Sequence, residues 1–520
     1  MQIEEFFQKF EGYSLTYDDL IFLPDYVDFA PESINLKTKI TREIEINTPF
    51  ASSPMDTVTE VELAIATALQ GGLGLIHYNM SPEEQWKQIR RVKGFKSGFG
   101  SDPLTLSPNS RIWDVVAVRN EYGFTSIPIT SDGKSHGQLV GMITKYDYST
   151  LTDEDLDKTI AERMIPADRL TIATFGELSI NGTLDINKAN ASLVDSRSPA
   201  LPIIDSKGCL KYFITRSDLE KYISCPHATS DQSKRLLVGA AVETWFEKAE
   251  ERLAAIHNDV DVIVYDTSQG FTSYELDLVK WTKQHYPDLQ VIGGNVVTAD
   301  ACEALIEAGV DGLRIGMGSG SICTTQEVGG VGRGQATAVY ECSKVCLSHG
   351  VPIIADGGIR KSADIIKALC LGANAVMLGS LLACTNEAPG KTHIKDGVKV
   401  KEYRGMGSMP AMERGSSFRY GIERSALRVP EGVTGMVSSR GSIAEWIPCI
   451  MQGVRQGLHK LGMKGIDDIH RKVAQNQIKI ERRSEGAKRE GDIHGLYAVH
   501  TEEMFTQTVA ENRQPQLLYN

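Results

Sequence analysis

The 520-residue chain has no run of about 18 apolar residues and no charged-then-apolar segment at its start, and its nine cysteines form no C-x-x-C pair. The first two absences argue against membrane insertion and secretion, the third against a zinc cluster. No broad basic stripe offsets the net charge of −12, which argues against a general nucleic-acid surface. An anionic ligand then needs a local site built from backbone N–H groups and a few arginines. The final residues, QLLYN, carry no peroxisomal or retention address. A reducing, soluble compartment, the cytoplasm, is expected, where free thiols can serve as nucleophiles.

What is present is glycine, 48 of them, clustered in short apolar runs where backbones must approach a ligand closely. The length exceeds what one core usually supports, so two domains are expected, one of them large enough for a barrel. From Leu236 onward short apolar strands end in Gly, Asp or Ser and a helical stretch follows each. The strands are LLVGAAV (236–242), VDVIVYDTSQG (260–270), LQVIGGNVV (289–297), GLRIGMGSGS (312–321), VPIIADGG (351–358) and AVMLGSLL (375–382). Apolar runs without alternation predict a parallel sheet covered on both faces, and strand–helix repeats predict βαβ units. TPFASSPMD (48–56) and GLGLIHYN (72–79) add two strands near the start, which makes eight, the closed (β/α)8 TIM-barrel number. The predicted architecture is an α/β barrel in two parts, residues 1–96 and 232–520, with an inserted domain over 97–231.

The insert repeats itself. SIPITSDGKSHGQLVGMITKYD (126–147) and ALPIIDSKGCLKYFITRSD (200–218) share a strand, an Asp/Gly turn, a second strand and Thr-x-x-Asp, each behind a helix-like segment. Such an offset suggests a tandem structural unit. The copies resemble paired cystathionine-β-synthase (CBS) modules, a Bateman domain. That resemblance implies binding of purine nucleotides (ATP, GTP or GDP), with Asp147 and Asp218 touching ribose. Each aspartate reads equally well as the cap of a helix.

Chemistry concentrates in GMGSGSICTTQEVGGVGRGQ (316–335), at the end of the sixth strand, where barrels carry catalytic residues. Its glycines and serines let the backbone bend and present N–H groups to an anion, and Cys323 sits in this polar loop as a candidate nucleophile. Cys342 and Cys346, one helical turn apart, read instead as structural. Asp356, Gly357 and Gly358 after strand seven, with Gly379 and Ser380 after strand eight, suggest a phosphate cradle, although Gly358 alone also fits an ordinary βα turn. A carboxylate is repelled by phosphate, so Asp356 is assigned to ribose hydroxyls. A polar, Gly-rich excursion runs from about Pro389 to Ala444, of a length expected of a functional lid or of a disordered segment.

SSPMDTVTE (52–60), IGGNVV (292–297), GMGSGSICTTQEV (316–328), ADGGI (355–359), GSLLA (379–383), YRGMGS (403–408) and REGDIHG (489–495) resemble, in order, the signature segments of the IMP dehydrogenases, and LTYDDLIFLP (15–24) resembles that family's N-terminal entry. The resemblance implies oxidation of inosine monophosphate (IMP) to xanthosine monophosphate with NAD, through a covalent bond from Cys323. Hydrolysis would use Arg419 and Tyr420 of a mobile flap over about 389–440, with Thr325 and Glu431 assisting. It further implies nucleotide contacts at Ser53, Met55, Ser321, Asp356, Gly358, Gly379, Ser380, Tyr403, Met406 and Gly407. Cofactor contacts fall at Asp266, Thr267, Arg314 and Gly316. Potassium would be held by Gly318, Gly320 and Cys323 with Glu490, Gly491 and Asp492 of a neighbouring subunit, in a homotetramer able to stack into octamers.

Three positions depart from that pattern. Gly334 replaces the usual proline and is expected to loosen the catalytic loop, Gly421 replaces a frequent aromatic, and Asp492 stands where glycine is common. The rival within the wider family is guanosine monophosphate (GMP) reductase, an NADPH-dependent deaminase; Arg419–Tyr420 and TTQEV favour the dehydrogenase. A nucleotide-sensing protein with a degenerate barrel is disfavoured by the intact Cys323 loop and glycine cradles.

Overall fold

The computed structural model describes residues 1–95, 103–122, 124–152, 155–180, 183–216, 224–232, 235–420, 427 and 429–494. The chain divides into two compact units, one formed by residues 1–89 with those from 238 onward, the other by residues 90–237.

Eight short strands dominate the first unit: β1 (Phe50–Ser52), β2 (Gly74–Ile76), β3 (Val238–Val242), β4 (Val262–Tyr265), β5 (Gln290–Val296), β6 (Gly312–Ile315), β7 (Ile353–Asp356) and β8 (Ala375–Leu378). They run in the spatial order β1-β8-β7-β6-β5-β4-β3-β2, all paired parallel. The ring closes where Leu73 N donates to Phe50 O (3.1 Å) and Ser52 N donates to Leu73 O (3.0 Å). Seven of these strands are buried at every position, because side chains alternate between the barrel interior and the helix layer and neither face meets water. Asp356, half-buried at the end of β7, is the exception and marks the barrel mouth.

The helices are α1 (Val61–Leu69), α2 (Pro82–Gly94), α3 (Phe246–Ile256), α4 (Ser273–His285), α5 (Ala299–Ala308), α6 (Gln335–Ser348), α7 (Ser362–Cys370) and α8 (Ile443–Lys460). Local chemistry sets their ends: Thr272 Oγ1 accepts from Glu275 N (3.2 Å) at the start of α4, and Ser442 Oγ accepts from Ala444 N (3.2 Å) at the start of α8, each satisfying an otherwise orphaned helix donor. Cys342 and Cys346 are fully buried on α6, in keeping with their spacing.

Between β8 and α8 the expected lid is partly a built structure. Thr392–Lys395, Val398–Arg404 and Thr434–Ser438 form an antiparallel sheet, with a helix at Met409–Arg414 and a 3-10 turn at Ser416–Tyr420 between its second and third strands. Its root is anchored by charge. The buried Lys401 Nζ donates to the carbonyls of Thr385 (2.7 Å) and Asn386 (3.3 Å), and Arg404 Nε donates to Asp56 Oδ1 (2.9 Å).

In the second unit each repeat copy is an antiparallel hairpin, Ser126–Thr130 with Leu139–Thr144 and Ala200–Ile204 with Leu210–Thr215. Each hairpin follows a helix, at Ile112–Tyr122 and Ile186–Ser196. Equivalent residues exchange hydrogen bonds: Leu139 N donates to Gly208 O (3.1 Å) and Leu210 N to Gly137 O (2.9 Å). The reciprocal pair relates the copies by a local twofold. Asp147 Oδ2 accepts from the backbone N (2.7 Å) and hydroxyl (2.8 Å) of Thr144, the capping arrangement anticipated as its alternative reading; Asp218 lies outside the described residues.

Candidate active site

The strand ends open into one cavity of about 560 Å3 at the barrel mouth, within the range of small-molecule sites. Ser53, Met55, Arg314, Gly316, Gly318, Gly320, Ser321, Cys323 and Thr325 line it from the first strand and the sixth, and Asp356, Gly358, Gly379 and Ser380 from the seventh and eighth. The excursion contributes Tyr403, Met406, Gly407, Arg419 and Glu431.

Cys323 is half-buried in its loop, with Sγ 3.1 Å from Thr325 Oγ1. Strand-like bonds tie the loop to the far end of the excursion: Thr324 N donates to Glu431 O (2.9 Å), Val433 N to Ile322 O (3.0 Å) and Glu431 N to Gly407 O (3.0 Å). Cys323, Thr325 and Glu431 are thereby held in one wall. Other cysteines sit in the core, where burial pushes Cys370 up to about 12 and Cys384 up to about 11, which makes them poor nucleophiles.

Across the cavity, successive left-handed residues Gly357 (φ +97) and Gly358 (φ +74) follow β7, a conformation that aims consecutive amides at one point. Gly379 cannot carry a side chain there, since a Cβ would lie 2.7 Å from the Tyr403 hydroxyl and 3.5 Å from Ser53 Oγ. Gly379, the Tyr403 hydroxyl and Ser53 Oγ thus come together on one part of the cavity wall.

The third wall is ionic. Arg314 bridges two carboxylates, Nη1 to Asp266 Oδ1 (2.6 Å) and Nε to Asp356 Oδ2 (2.9 Å). Arg419 bonds the same Asp266 oxygen, and its carbonyl accepts from Ser268 N (3.1 Å), so the 3-10 turn of the excursion is docked on the end of β4. Asp266 and Thr267 are buried behind this wall rather than lining the cavity.

Of the residues expected to hold potassium, Gly318, Gly320 and Cys323 line the cavity and the other three lie elsewhere. Gly318 O accepts from Gln326 Nε2 (3.1 Å) and Gly320 O from Cys323 N (3.0 Å), while Glu490, Gly491 and Asp492 lie exposed at and beyond the end of the helix Glu485–Glu490, away from this chain's cavity. The side chain of Tyr420 and residue Gly421 fall outside the described residues. The looseness expected of Gly334 is corrected by its surroundings: its N–H donates to Ser14 Oγ, and the arm Tyr13–Asp18 lies against the start of α6.

That arm was missed as part of the site, although Ser14, Thr16, Tyr17 and Asp18 line the cavity. Asn295 and Gln335 were missed as well. Asn295 Nδ2 donates to Asp356 Oδ2 (2.9 Å) and Gly316 O (2.7 Å), and Gln335 Nε2 to Ile315 O (2.8 Å), leaving Asn295 Oδ1 and Gln335 Oε1 buried without partners. A polar residue ending the apolar run VIGGN was the available signal.

A barrel that gathers a half-buried thiol on the sixth strand's loop, glycine turns after the seventh and eighth strands and a carboxylate–arginine wall around one cavity has the layout of a barrel enzyme. The family model described as IMP dehydrogenase / GMP reductase domain matches residues 14–494, and the chain belongs to this family. It is 41% identical to the inosine-5′-monophosphate dehydrogenase of Toxoplasma gondii, covering 94% of this chain and 96% of that protein. It is also 41% identical to that of Schizosaccharomyces pombe, covering 94% and 93%. Among solved structures it is similar to a cysteine-to-alanine variant of GMP reductase from Trypanosoma brucei in complex with guanosine 5′-monophosphate. There the TM-score is 0.79 and the identity 33%, over 94% of this chain and 99% of that one.

Proposed function

We propose that the protein oxidises inosine 5′-monophosphate to xanthosine 5′-monophosphate with reduction of NAD, the committed step toward guanine nucleotides. The observation that carries this is the meeting of Cys323, the glycine cradle and Arg419 on one cavity, in a chain about 40% identical to curated dehydrogenases over most of its length.

The amides after β7 and β8, with Ser53, Ser321 and Tyr403, hold the phosphate, and Asp356 accepts from the ribose. Cys323 Sγ bonds to C2 of the hypoxanthine ring as a hydride leaves that carbon. When bound, NAD+ supplies the acceptor for that hydride. The residues present fit it: Asn295 lines the cavity beside Arg314 and Gly316, and its buried Oδ1 has no partner, so it can bond a polar ligand there. Water then adds to C2, the carbon–sulfur bond breaks and the thiol returns. Arg419, with Tyr420, activates the water, and Thr325 and Glu431 assist. The 3-10 turn that carries Arg419 docks at the cavity through Ser268 N, which supports this role, since a base role for arginine requires a closed, dry site. The ion pair with Asp266 holds the guanidinium protonated and must open first.

Potassium at Gly318, Gly320 and Cys323 with a neighbour's Glu490, Gly491 and Asp492 is part of the same reading, as is a homotetramer able to form octamers. Carbonyl oxygens suit a hard monovalent cation; comparing turnover in potassium and in lithium tests it. The insert is proposed to bind ATP, GTP or GDP, supported by the local twofold of its copies. A titration of activity and particle size against each nucleotide tests that. Nine free thiols support a cytoplasmic location, and among the described residues no helix is long and apolar enough to cross a membrane.

The deciding experiment mixes the protein with inosine monophosphate and NAD+, follows reduced nicotinamide absorbance, and quenches in acid for mass spectrometry. A nucleotide adduct on Cys323, absent in Cys323→Ala although that variant still binds the nucleotide, is expected. Turnover that requires NADPH and guanosine monophosphate would establish the reductase instead.

A further inference from the structure

Glu275 belongs to α4, outside the ring of strands, yet it is fully buried and turns inward. Its Oε1 accepts the backbone N–H of Gly294 (2.6 Å) and its Oε2 the hydroxyl of Thr267 (3.2 Å). Gly294 immediately precedes Asn295, whose amide holds Asp356; Thr267 immediately follows Asp266, which pairs with both arginines. One carboxyl therefore ties the two strand ends that form the ionic wall. Helix–sheet packing alone gives no reason for an ionisable group here, because burying a carboxylate is costly unless it is bonded.

We propose that Glu275 is a positioning residue for the oxidised dinucleotide, orienting the Thr267 hydroxyl and seating Asp266 and Asn295, and that its protonation state sets the affinity of this wall for that cofactor. The inference rests on the dehydrogenase reading above. With Glu275 ionised, the Thr267 hydroxyl donates to it. With Glu275 protonated on Oε2, the carboxyl donates to Thr267 Oγ1, and the hydroxyl rotates to its other partner, Gly294 O at 3.2 Å. The Gly294 N–H bond survives in both states.

The charged and titratable groups that face Glu275 are few. Burial raises its carboxyl to about 8, against the lowering effects of the Gly294 N–H, the Thr267 hydroxyl and Arg314 of β6. Tyr265 of β4 is held neutral by burial, with Glu275 adding to the effect. Asp266 adjoins Thr267 in the chain. Leu305 of α5 and Val310 after it close the remaining side at Gly293. Ionisation near pH 8 thus adds a buried negative charge to the wall expected to receive a cationic nicotinamide, and such a charge attracts it.

The test titrates NAD+ into the full-length protein by tryptophan fluorescence across pH, alongside steady-state kinetics. Wild type should bind NAD+ roughly fivefold more tightly above pH 8 than below pH 7, with little change in the KM for inosine monophosphate. Glu275→Gln keeps the shape and the Gly294 bond but cannot ionise; its Kd for NAD+ should stay at the wild-type low-pH value throughout, with kcat within about twofold. Glu275→Val should weaken NAD+ at every pH. A Gln variant that keeps the wild-type inflection, or an effect that falls on the KM for inosine monophosphate, overturns the inference. Wild type that binds NAD+ with this inflection but turns over no inosine monophosphate would overturn the dehydrogenase reading instead.

Discussion

An alanine at position 334 would carry its Cβ to 2.5 Å from the carbonyl oxygen of Leu15 and 2.7 Å from the carbonyl carbon of Ser14. Both atoms are backbone, so no rotamer change relieves the clash and the arm itself must move. The arm is firmly tied. Leu15 N donates to Thr337 Oγ1 (2.8 Å), Ala336 N and Thr337 N donate to Leu15 O (3.1 and 3.2 Å), and Lys367 Nζ donates to Tyr17 O (2.6 Å). Overpacking of this kind costs about 1–3 kcal/mol, and the loss of unfolded-state freedom returns about 0.4–1 kcal/mol, which leaves a net loss of about 1–2 kcal/mol. Gly334→Pro is the more telling variant. The backbone angle there, φ −57, suits proline, so torsion predicts stabilisation, whereas the contacts predict the same clash plus loss of the bond to Ser14 Oγ, about 1 kcal/mol more. Thermal unfolding with hydrogen exchange at Leu15, Ala336 and Thr337 reads both effects. Because Thr16, Tyr17 and Asp18 line the cavity, the KM for nucleotide should rise as the arm loosens. A proline variant that melts at or above wild type with those amides equally protected would refute the reasoning.

Arg404→Leu strands Asp56, whose side chain is 1% exposed, and should cost about 3–5 kcal/mol; adding Asp56→Leu should recover most of it in a denaturation cycle, and purely additive losses would contradict the pairing. Arg419→Ala should slow hydrolysis far more than hydride transfer, so rapid mixing should show a burst of reduced cofactor before a slow steady state; equal slowing of both would remove Arg419 from the hydrolytic step. Glu275 is raised from 4.5 to about 8 in the folded chain. The folded protein therefore binds a proton that the unfolded chain releases, and stability falls as pH rises from about 4.5 toward 8. The melting temperature of Glu275→Gln should accordingly pull ahead of wild type across that window and hold its lead above it, and a constant gap would argue against the burial effect.

The eight strands were legible because a parallel strand shielded on both faces must be largely apolar, and their ends were legible because Gly, Ser and Asp cluster there. The loop around Cys323 could be read for the same reason: a polar, glycine-rich stretch beginning at a strand end has no packing role to explain it. The excursion of 389–440 was seen as a lid but not as a sheet, since its strands lie largely exposed and alternate too weakly to register.

The linear chain itself determined the barrel and the tandem insert and singled out the loop of Cys323, because each depends on a local pattern of burial, turning or polarity. Tertiary structure alone decided that the arm at residues 13–18 belongs to the site, 322 positions from the helix it packs on, that Asn295 and Gln335 face it, and that Glu275 lies bonded behind its ionic wall. It also turned Gly334 from a presumed source of looseness into a seat for backbone. Such contacts arise between elements that barrel closure brings together, and no periodicity within a single segment encodes them.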